Sequence, residues 1–412
     1  MKVLVFGGAG KMGRAVAYDL VQQEDVTTVG LAGRNLTALQ EGQKWLSSPK
    51  VQVHAVDVLN KPEVQALART YDVVVSTLPD RRTSYALAAA VLEAGVHLVD
   101  MLEEYHRRPD RYEVEGLQLP PGMDLDAYGD FLHETALHHG VTFLDGMGFA
   151  PGISNITCGE GIRRLDRARR VIARVGGIPE KQAAQRHPLR YMITWAFSHV
   201  LREYNVKLFI LEHGEKVEVE AGTGRETFRF NFFGYDETLE CAMTPGMPSF
   251  IYTRPQLEYF AEKTVRWPGH WDGVQTLKEC GLLSLEPVEV GGHQVVPREV
   301  LLACIEPRLV PQPGEEDVCV MYNTVEGEKD GRPARWVYAM WERPDPATGI
   351  SAMGRVTGFP TAIGALFLGR GLISQKGIVP PEEAFAGPLY TQFMEELAKR
   401  QIHIHEQLEF LS

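Results

Sequence analysis

Residues Lys2–Gly13, Lys-Val-Leu-Val-Phe-Gly-Gly-Ala-Gly-Lys-Met-Gly, place an apolar strand directly before Gly8-x-Gly10-x-x-Gly13, and Arg14–Tyr18 continue the chain as a helix. A strand that turns through glycines into a helix is the opening unit of a dinucleotide-binding parallel sheet. Each glycine has its own task. Gly8 is expected to make the tight turn with positive φ, Gly10 to leave the pyrophosphate an approach free of any Cβ, and Gly13 to let helix and strand lie close. Phosphates then meet free amides at the positive helix end, which makes Gly8, Ala9, Gly10, Lys11 and Met12 the candidate pyrophosphate-binding residues.

The same unit speaks to the choice of dinucleotide. NAD-binding chains usually end the second strand, about 20 residues beyond the glycines, in a carboxylate that holds the ribose 2′-OH. Here the strand Thr28–Ala32 runs into Gly33-Arg34-Asn35. A carboxylate would repel a 2′-phosphate, whereas a guanidinium bonds it through two parallel N–H groups and stacks on adenine. NADP is therefore expected in preference to NAD, with Gly33, Arg34 and Asn35 around the phosphate and Thr37 as a further donor.

Downstream, short β-branched strands alternate with helices up to about residue 150. Strands are expected at Val51–Val56, Asp72–Val75, Val96–Val99 and Val141–Leu144, and helices at Leu36–Leu46, after Pro62, at Ser84–Glu93 and at Asp130–His139. This is the pattern of an α/β, doubly wound parallel sheet, the Rossmann fold. Ligands of such sheets lie outside the carboxyl ends of the strands. That rule puts Asp57 and Val58 beside adenine and Thr77, Leu78 and Pro79 beside the nicotinamide half. It also brings Asp100 and the run Asp145-Gly146-Met147-Gly148 to the ligand edge. Residues 105–126, rich in proline, read as an inserted loop. From about residue 151 the order becomes mixed, with strands expected at Val171–Val175, Lys207–Val219 and Val318–Thr324, and helices at Tyr191–Arg202 and Pro255–Glu262. The expected organisation is thus a dinucleotide-binding domain over 1–150, an α+β substrate and dimerisation domain over 151–355, and helices over 356–412 that pack back on the first domain. Among these helices is the apolar stretch Thr357–Leu368.

Composition narrows the partners. A formal net charge of -12 speaks against nucleic acid or an anionic membrane surface as the principal partner. Five scattered cysteines without a Cys-x-x-Cys pair suggest neither a disulfide framework nor a zinc site, and fit a cytoplasmic protein. His138-His139 and the pair His403 and His405 lack helical ligand spacing, so no metal is expected. The run Arg163-Arg164 to Arg169-Arg170 reads as a solvated charged face. No apolar stretch reaches the ~18 residues a membrane helix needs, and Met1-Lys2 leads straight into the first strand, without the pattern of a signal peptide.

Several segments in register carry a family resemblance. Asp145-Gly146-Met147-Gly148-Phe149-Ala150-Pro151-Gly152-Ile153, Val175-Gly176-Gly177-Ile178-Pro179, Pro188-Leu189-Arg190-Tyr191 with Trp195, Lys263-Thr264-Val265-Arg266-Trp267-Pro268-Gly269-His270, and Thr357-Gly358-Phe359-Pro360 with Gly369-Arg370-Gly371 resemble the saccharopine dehydrogenase family. Gly33-Arg34 is similar to its NADP-using saccharopine branch, and Gly269-His270 to its lysine 6-dehydrogenase branch. The resemblance implies oxidation of the C–N bond of an amino-acid-derived amine, by hydride transfer and imine hydrolysis. The two alternatives are oxidative deamination of a primary side-chain amine, and a non-catalytic protein that senses NADP. Such chemistry needs a proton acceptor with a pKa near the working pH, for which Asp100 and His270 are the candidates. It also needs a fork for the substrate carboxylate, Arg254 or Arg266, and an apolar wall, Trp195. A small amino-acid substrate and a homodimer complete the expected partners.

Overall fold

The computed structural model describes residues 1–113 and 116–411. The chain forms two compact units: Met1–Glu160 with Met247–Ser249 and Gly354–Ile402, and Gly161–Gly246 with Phe250–Met353 and the residues from His403 onward.

In the first unit, strands β1 (Lys2–Phe6), β2 (Thr28–Gly33), β3 (Val51–Ala55), β4 (Val73–Ser76), β5 (His97–Asp100) and β6 (Thr142–Leu144) alternate with helices α1 (Lys11–Val21), α2 (Leu36–Leu46), α3 (Lys61–Ala68), α4 (Arg81–Glu93) and α5 (Leu125–His138). A seventh strand comes from far along the chain, Gly377–Val379, and the sheet order is Gly377–Val379, β6, β5, β4, β1, β2, β3. Neighbouring strands are parallel, with Val5 opposite both Leu31 and Val75. Val3, Leu4, Val5 and Val73–Val75 are fully buried, as strands covered on both faces must be. The chain winds from β1 to β3 one way and from β4 to β6 the other, so a crevice opens between the carboxyl ends of β1 and β4.

The expected apolar helix runs Ala352–Gly369 and is pressed against this sheet unit. A Cβ at Gly358 would stand 2.7 Å from Ala15 Cβ on α1, and one at Gly364 would stand 2.8 Å from Leu144 Cδ2 on β6. Close approach through small residues is how the helix seats itself.

The second unit is built on a mixed sheet with the order Glu226–Phe230, Glu237–Met243, Tyr259–Arg266, Arg167–Pro179, Asp317–Lys329, Arg332–Glu342, His405–Phe410, to which the hairpin Lys207–Glu212 and Glu215–Glu220 is joined. Its pairs are antiparallel except Tyr259–Arg266 with Arg167–Pro179. Asp330 and Gly331, with φ of 51° and 69°, make the two-residue turn between its longest strands, the backbone that a tight hairpin needs.

Three expectations are corrected here. The helix expected at Pro255–Glu262 is instead the strand Tyr259–Arg266, buried along nearly its whole length in the middle of the sheet, where tertiary packing overrides a local apolar period. The segment Lys207–Val219 is two strands, broken at His213-Gly214, both with positive φ. The stretch 105–124, apart from Val114 and Glu115, which lie outside the described residues, has no helix or strand, in line with the expected loop, and its first residues Tyr105 and His106 are buried. Finally, residues expected among the terminal helices include His405–Phe410, which pairs with Arg332–Glu342 and so belongs to the second unit. Among the described residues no helix is long and apolar enough to cross a membrane.

Candidate functional site

The crossover from β1 to α1 is shaped by close approach. The positive φ falls at Gly7 (76°), one residue earlier than expected at Gly8, because the chain must turn beside β4: a Cβ on Gly7 would stand 2.5 Å from Thr77 Oγ1. Gly8 is needed for space instead, since a Cβ there would lie 3.0 Å from Leu31 Cδ2 and from the Val5 carbonyl. Gly13 admits no side chain at all, its Cβ meeting the Gly7 carbonyl at 2.3 Å. Gly10 differs. It caps α1 with no side-chain hydrogen bond, and a Cβ there would meet only the Gly7 carbonyl, at 3.3 Å, so the loop faces open space. The amides of Lys11 and Met12, at the positive end of α1, have no acceptor among the described residues. Ala9 is half-buried beside them. Across the crevice the Thr77 hydroxyl donates to the Phe6 carbonyl at 2.8 Å, with Leu78 half-buried and Pro79 exposed.

At the end of β2, Gly33 leaves a clear space: the nearest atom to a Cβ would be Leu39 Cδ2 at 3.9 Å. Arg34 is exposed and forms no ion pair among the described residues. Asn35 is committed in part to local structure, its Oδ1 accepting from the Ala38 amide at 3.1 Å as the cap of α2. Asp57 likewise accepts from the Leu59 amide at 3.0 Å, and Val58 beside it is buried. Open amides, a cleared strand end and an unpaired guanidinium are the donor set that a 2′-phosphorylated dinucleotide requires.

Beneath the ends of β5 and β6 lies a polar network that sequence reading did not assemble. Asp100 is buried, and its carboxylate accepts from the Ser84 hydroxyl at 2.8 Å and the Leu102 amide at 2.5 Å. Ser84 Oγ stands 2.9 Å from His106 Nε2, and His106 Nδ1 stands 2.7 Å from Asp145 Oδ1, whose partner oxygen accepts from the His106 amide at 2.7 Å. With the Ser84 proton directed at Asp100, its oxygen accepts from Nε2–H, while Nδ1–H is given to Asp145. The ring is thus an imidazolium. Burial pulls His106 down, but the Asp145 carboxylate more than offsets this and raises it to about 9. Beside it Arg81 grips Glu104 at 3.0 and 3.1 Å, and Tyr85 donates to the same carboxylate at 2.9 Å. Asp100 stands at a strand end as expected, buried and with both oxygens engaged.

In the second unit His270 opens the helix His270–Glu279 and is fully buried. Its Nδ1–H donates to the Leu189 carbonyl at 2.8 Å, so Nε2 accepts from the Tyr204 hydroxyl at 3.0 Å. The Tyr204 oxygen in turn accepts from Arg266 Nε at 2.9 Å. Burial and the nearby Arg266 charge hold His270 well below its usual range. Both ring nitrogens are engaged, and the chain of bonds runs from His270 through Tyr204 to Arg266.

Arg266 is the unusual group. It is buried, lies 5.0 Å from the Tyr191 ring centre and 5.7 Å from that of Tyr204, and takes the Val265 carbonyl at 2.9 Å, yet it has no carboxylate partner among the described residues. Burial lowers its pKa, but the neighbouring tyrosines, the hydrogen bond to Tyr204 and the more distant Glu203 carboxylate outweigh that, so it stays charged. Trp195 packs against the cluster that holds Tyr191, Tyr204 and Trp271. Arg254 is buried elsewhere and donates to the Thr253 carbonyl at 2.7 Å. The basic run lies in surface ion pairs, with Arg169 bridging Glu258 at 3.1 Å and Glu328 at 2.5 Å.

Comparison with known proteins agrees with this geometry. Residues 3–118 match the saccharopine dehydrogenase NADP binding domain, and residues 148–402 match the saccharopine dehydrogenase C-terminal domain. The chain is 24% identical to carboxyaminopropylagmatine dehydrogenase of Synechocystis, over 98% of this chain and 97% of that one. It is 20% identical to the NADP(+), L-glutamate-forming saccharopine dehydrogenase of Pyricularia oryzae, over 79% of this chain and 82% of the relative. In fold it is similar to the Saccharomyces cerevisiae saccharopine dehydrogenase, with a TM-score of 0.76 over 99% of both chains at 18% identity.

Proposed function

Because the chain belongs to the saccharopine dehydrogenase family of oxidoreductases and carries its NADP-binding domain, we propose that it acts on the C–N bond of a secondary amine built on an amino acid. NADP supplies the hydride acceptor. The remaining work falls to the chain. In the oxidative direction the amine carbon loses a hydride, its N–H proton passes to water, and water then splits the imine into an aldehyde and an amino acid. The first unit orients the dinucleotide through the Lys11 and Met12 amides, Arg34 and Thr77. Arg266, held in aim by Tyr204 and His270, is the anchor we assign to the substrate carboxylate, with Trp195 as an apolar wall.

The observation that carries this reading is the buried Arg266 guanidinium, which forms no ion pair among the described residues, since a charge is rarely buried unless something pairs it. Relatives named for saccharopine and for carboxyaminopropylagmatine support it, since both names describe amines that carry a carboxyl group. The five free cysteines support a cytoplasmic setting. The test is NADP reduction with saccharopine, with carboxyaminopropyl amines and with lysine, in the wild type and in Arg266→Met. The expected result is turnover of a secondary amine, with KM raised about a hundredfold in Arg266→Met and NADPH affinity unchanged. Turnover of lysine alone would favour the primary-amine reading, and NADPH binding without turnover of any amine would favour a sensor.

A further inference from the structure

Helix α1 carries two arginine-binding circumstances that differ sharply. Asp19, on the buried side of the helix, is gripped by Arg400 at 2.6 and 2.8 Å. The side chain of Arg14, one turn and a half earlier, has no hydrogen bond and no ion pair among the described residues, although its Nε is buried. A buried donor without an acceptor is costly, and a structure that keeps one usually has a partner for it that is not protein.

Its placement names that partner. The point where a Cβ of Gly42 would stand, on α2, is 3.7 Å from Arg14 Nε, 3.8 Å from the Gly8 carbonyl and 3.5 Å from Leu31 Cδ1. Arg14 therefore runs in the seam between α1 and α2, under the phosphate loop and next to β2, whose end is Gly33-Arg34. Side chains on a helix lean toward its amino terminus, here toward the dinucleotide edge. The residue as a whole is half-exposed, so its terminal amino groups reach open space while Nε is covered. Arg34, immediately before α2, is unpaired as well. Among the described residues these are two unpaired guanidiniums, one on α1 and one at the end of β2, each able to take an oxygen of a strong anion at the dinucleotide edge.

We propose that Arg14 is a second cation for the 2′-phosphate of NADP, closing on it from α1 while Arg34 closes from the end of β2. The preference for the phosphorylated cofactor is then set by two guanidiniums on separate elements. This inference rests on NADP binding and not on the amine reading.

The experiment is direct titration of NADPH and NADH into the intact protein by calorimetry, for the wild type, Arg14→Met, Arg14→Lys and Arg34→Met, at low and high salt. Arg14→Met is expected to weaken NADPH about tenfold or more, leave NADH within about twofold, and flatten the salt dependence of NADPH binding; Arg14→Lys is expected to keep part of the affinity. Equal weakening of both cofactors would overturn the proposal and make Arg14 a packing residue of the α1–α2 seam. Unchanged NADPH affinity would overturn it as well. If Arg14→Met does not fold, the Arg14→Lys titration decides the matter by the same comparison.

Discussion

Placing a carboxylate at Gly33 is the substitution that most sharply tests the electrostatics of the cofactor site. Steric cost does not enter, because a Cβ at Gly33 would find nothing nearer than Leu39 Cδ2 at 3.9 Å and the residue has no positive φ. In Gly33→Asp the new charge lies where NAD-binding chains hold the ribose 2′-OH. At about 4 Å two unit charges interact by about 1 kcal/mol in water and more where the site is partly covered. Acting on a phosphate of about −1.5 to −2, this repulsion amounts to about 1.5–3 kcal/mol against NADP. The same carboxylate accepts a hydrogen bond from the 2′-OH of NAD, a charged bond of about 1.5–3 kcal/mol. The two effects together swing the NADP-to-NAD ratio by about 10²- to 10⁴-fold. Dissociation constants of both cofactors, measured by calorimetry on wild type and variant, give that ratio directly. An unchanged ratio refutes the charge argument, and equal loss for both cofactors would mean that the loop itself had been damaged.

Replacing Arg34 by alanine is expected to cost about 1–3 kcal/mol of NADPH affinity while NADH binding stays as it was, read by the same titrations. In Gly13→Ala the methyl group meets the Gly7 carbonyl at 2.3 Å, so both cofactors are expected to weaken alike and the melting temperature to fall, in contrast to the selective effects above. The His106 clamp makes stability depend on pH in a stated window. Its folded pKa, raised to about 9, exceeds the unfolded value, so its contribution is complete below about pH 6.5 and is lost as pH rises toward 9, an amount of about 3 kcal/mol. Denaturant unfolding at pH 6 and pH 9.5 measures it; His106→Gln is expected to abolish this difference, and a difference that persists in the variant would assign it to another group.

How far the sequence carries depends on whether a property is local. The phosphate loop was legible because strand, glycines and helix are contiguous in residues 2–18, and the cofactor choice because it turns on the few residues that end β2. Even there the positive φ lies at Gly7 and not Gly8, since the approach that forces it comes from Thr77, 70 residues on. The strand Gly377–Val379 was not legible: three residues carry no period, and only pairing with β6 makes them a strand. Pro255–Glu262 misled for the opposite reason: Leu257, Phe260 and Ala261 have the spacing of a helix face, and only the neighbouring strands make Tyr259–Arg266 a strand. The polar clusters were out of reach. Ser84, Asp100 with His106, and Asp145 come from three separate segments, and Leu189, Tyr204, and Arg266 with His270 from three more, so His270 looked like a free imidazole until its two partners were in place.

The central claim is that a hydride passes between NADP and the carbon of a C–N bond. NADPH deuterated at the transferring position of C4, incubated with the protein, an aldehyde and an amino acid, tests it in one step. The account predicts a coupled secondary amine one deuterium heavier, with the label on the carbon that had been the aldehyde. Oxidation of the cofactor with no label in any amine product, or an amine product whose label resides elsewhere, would contradict it.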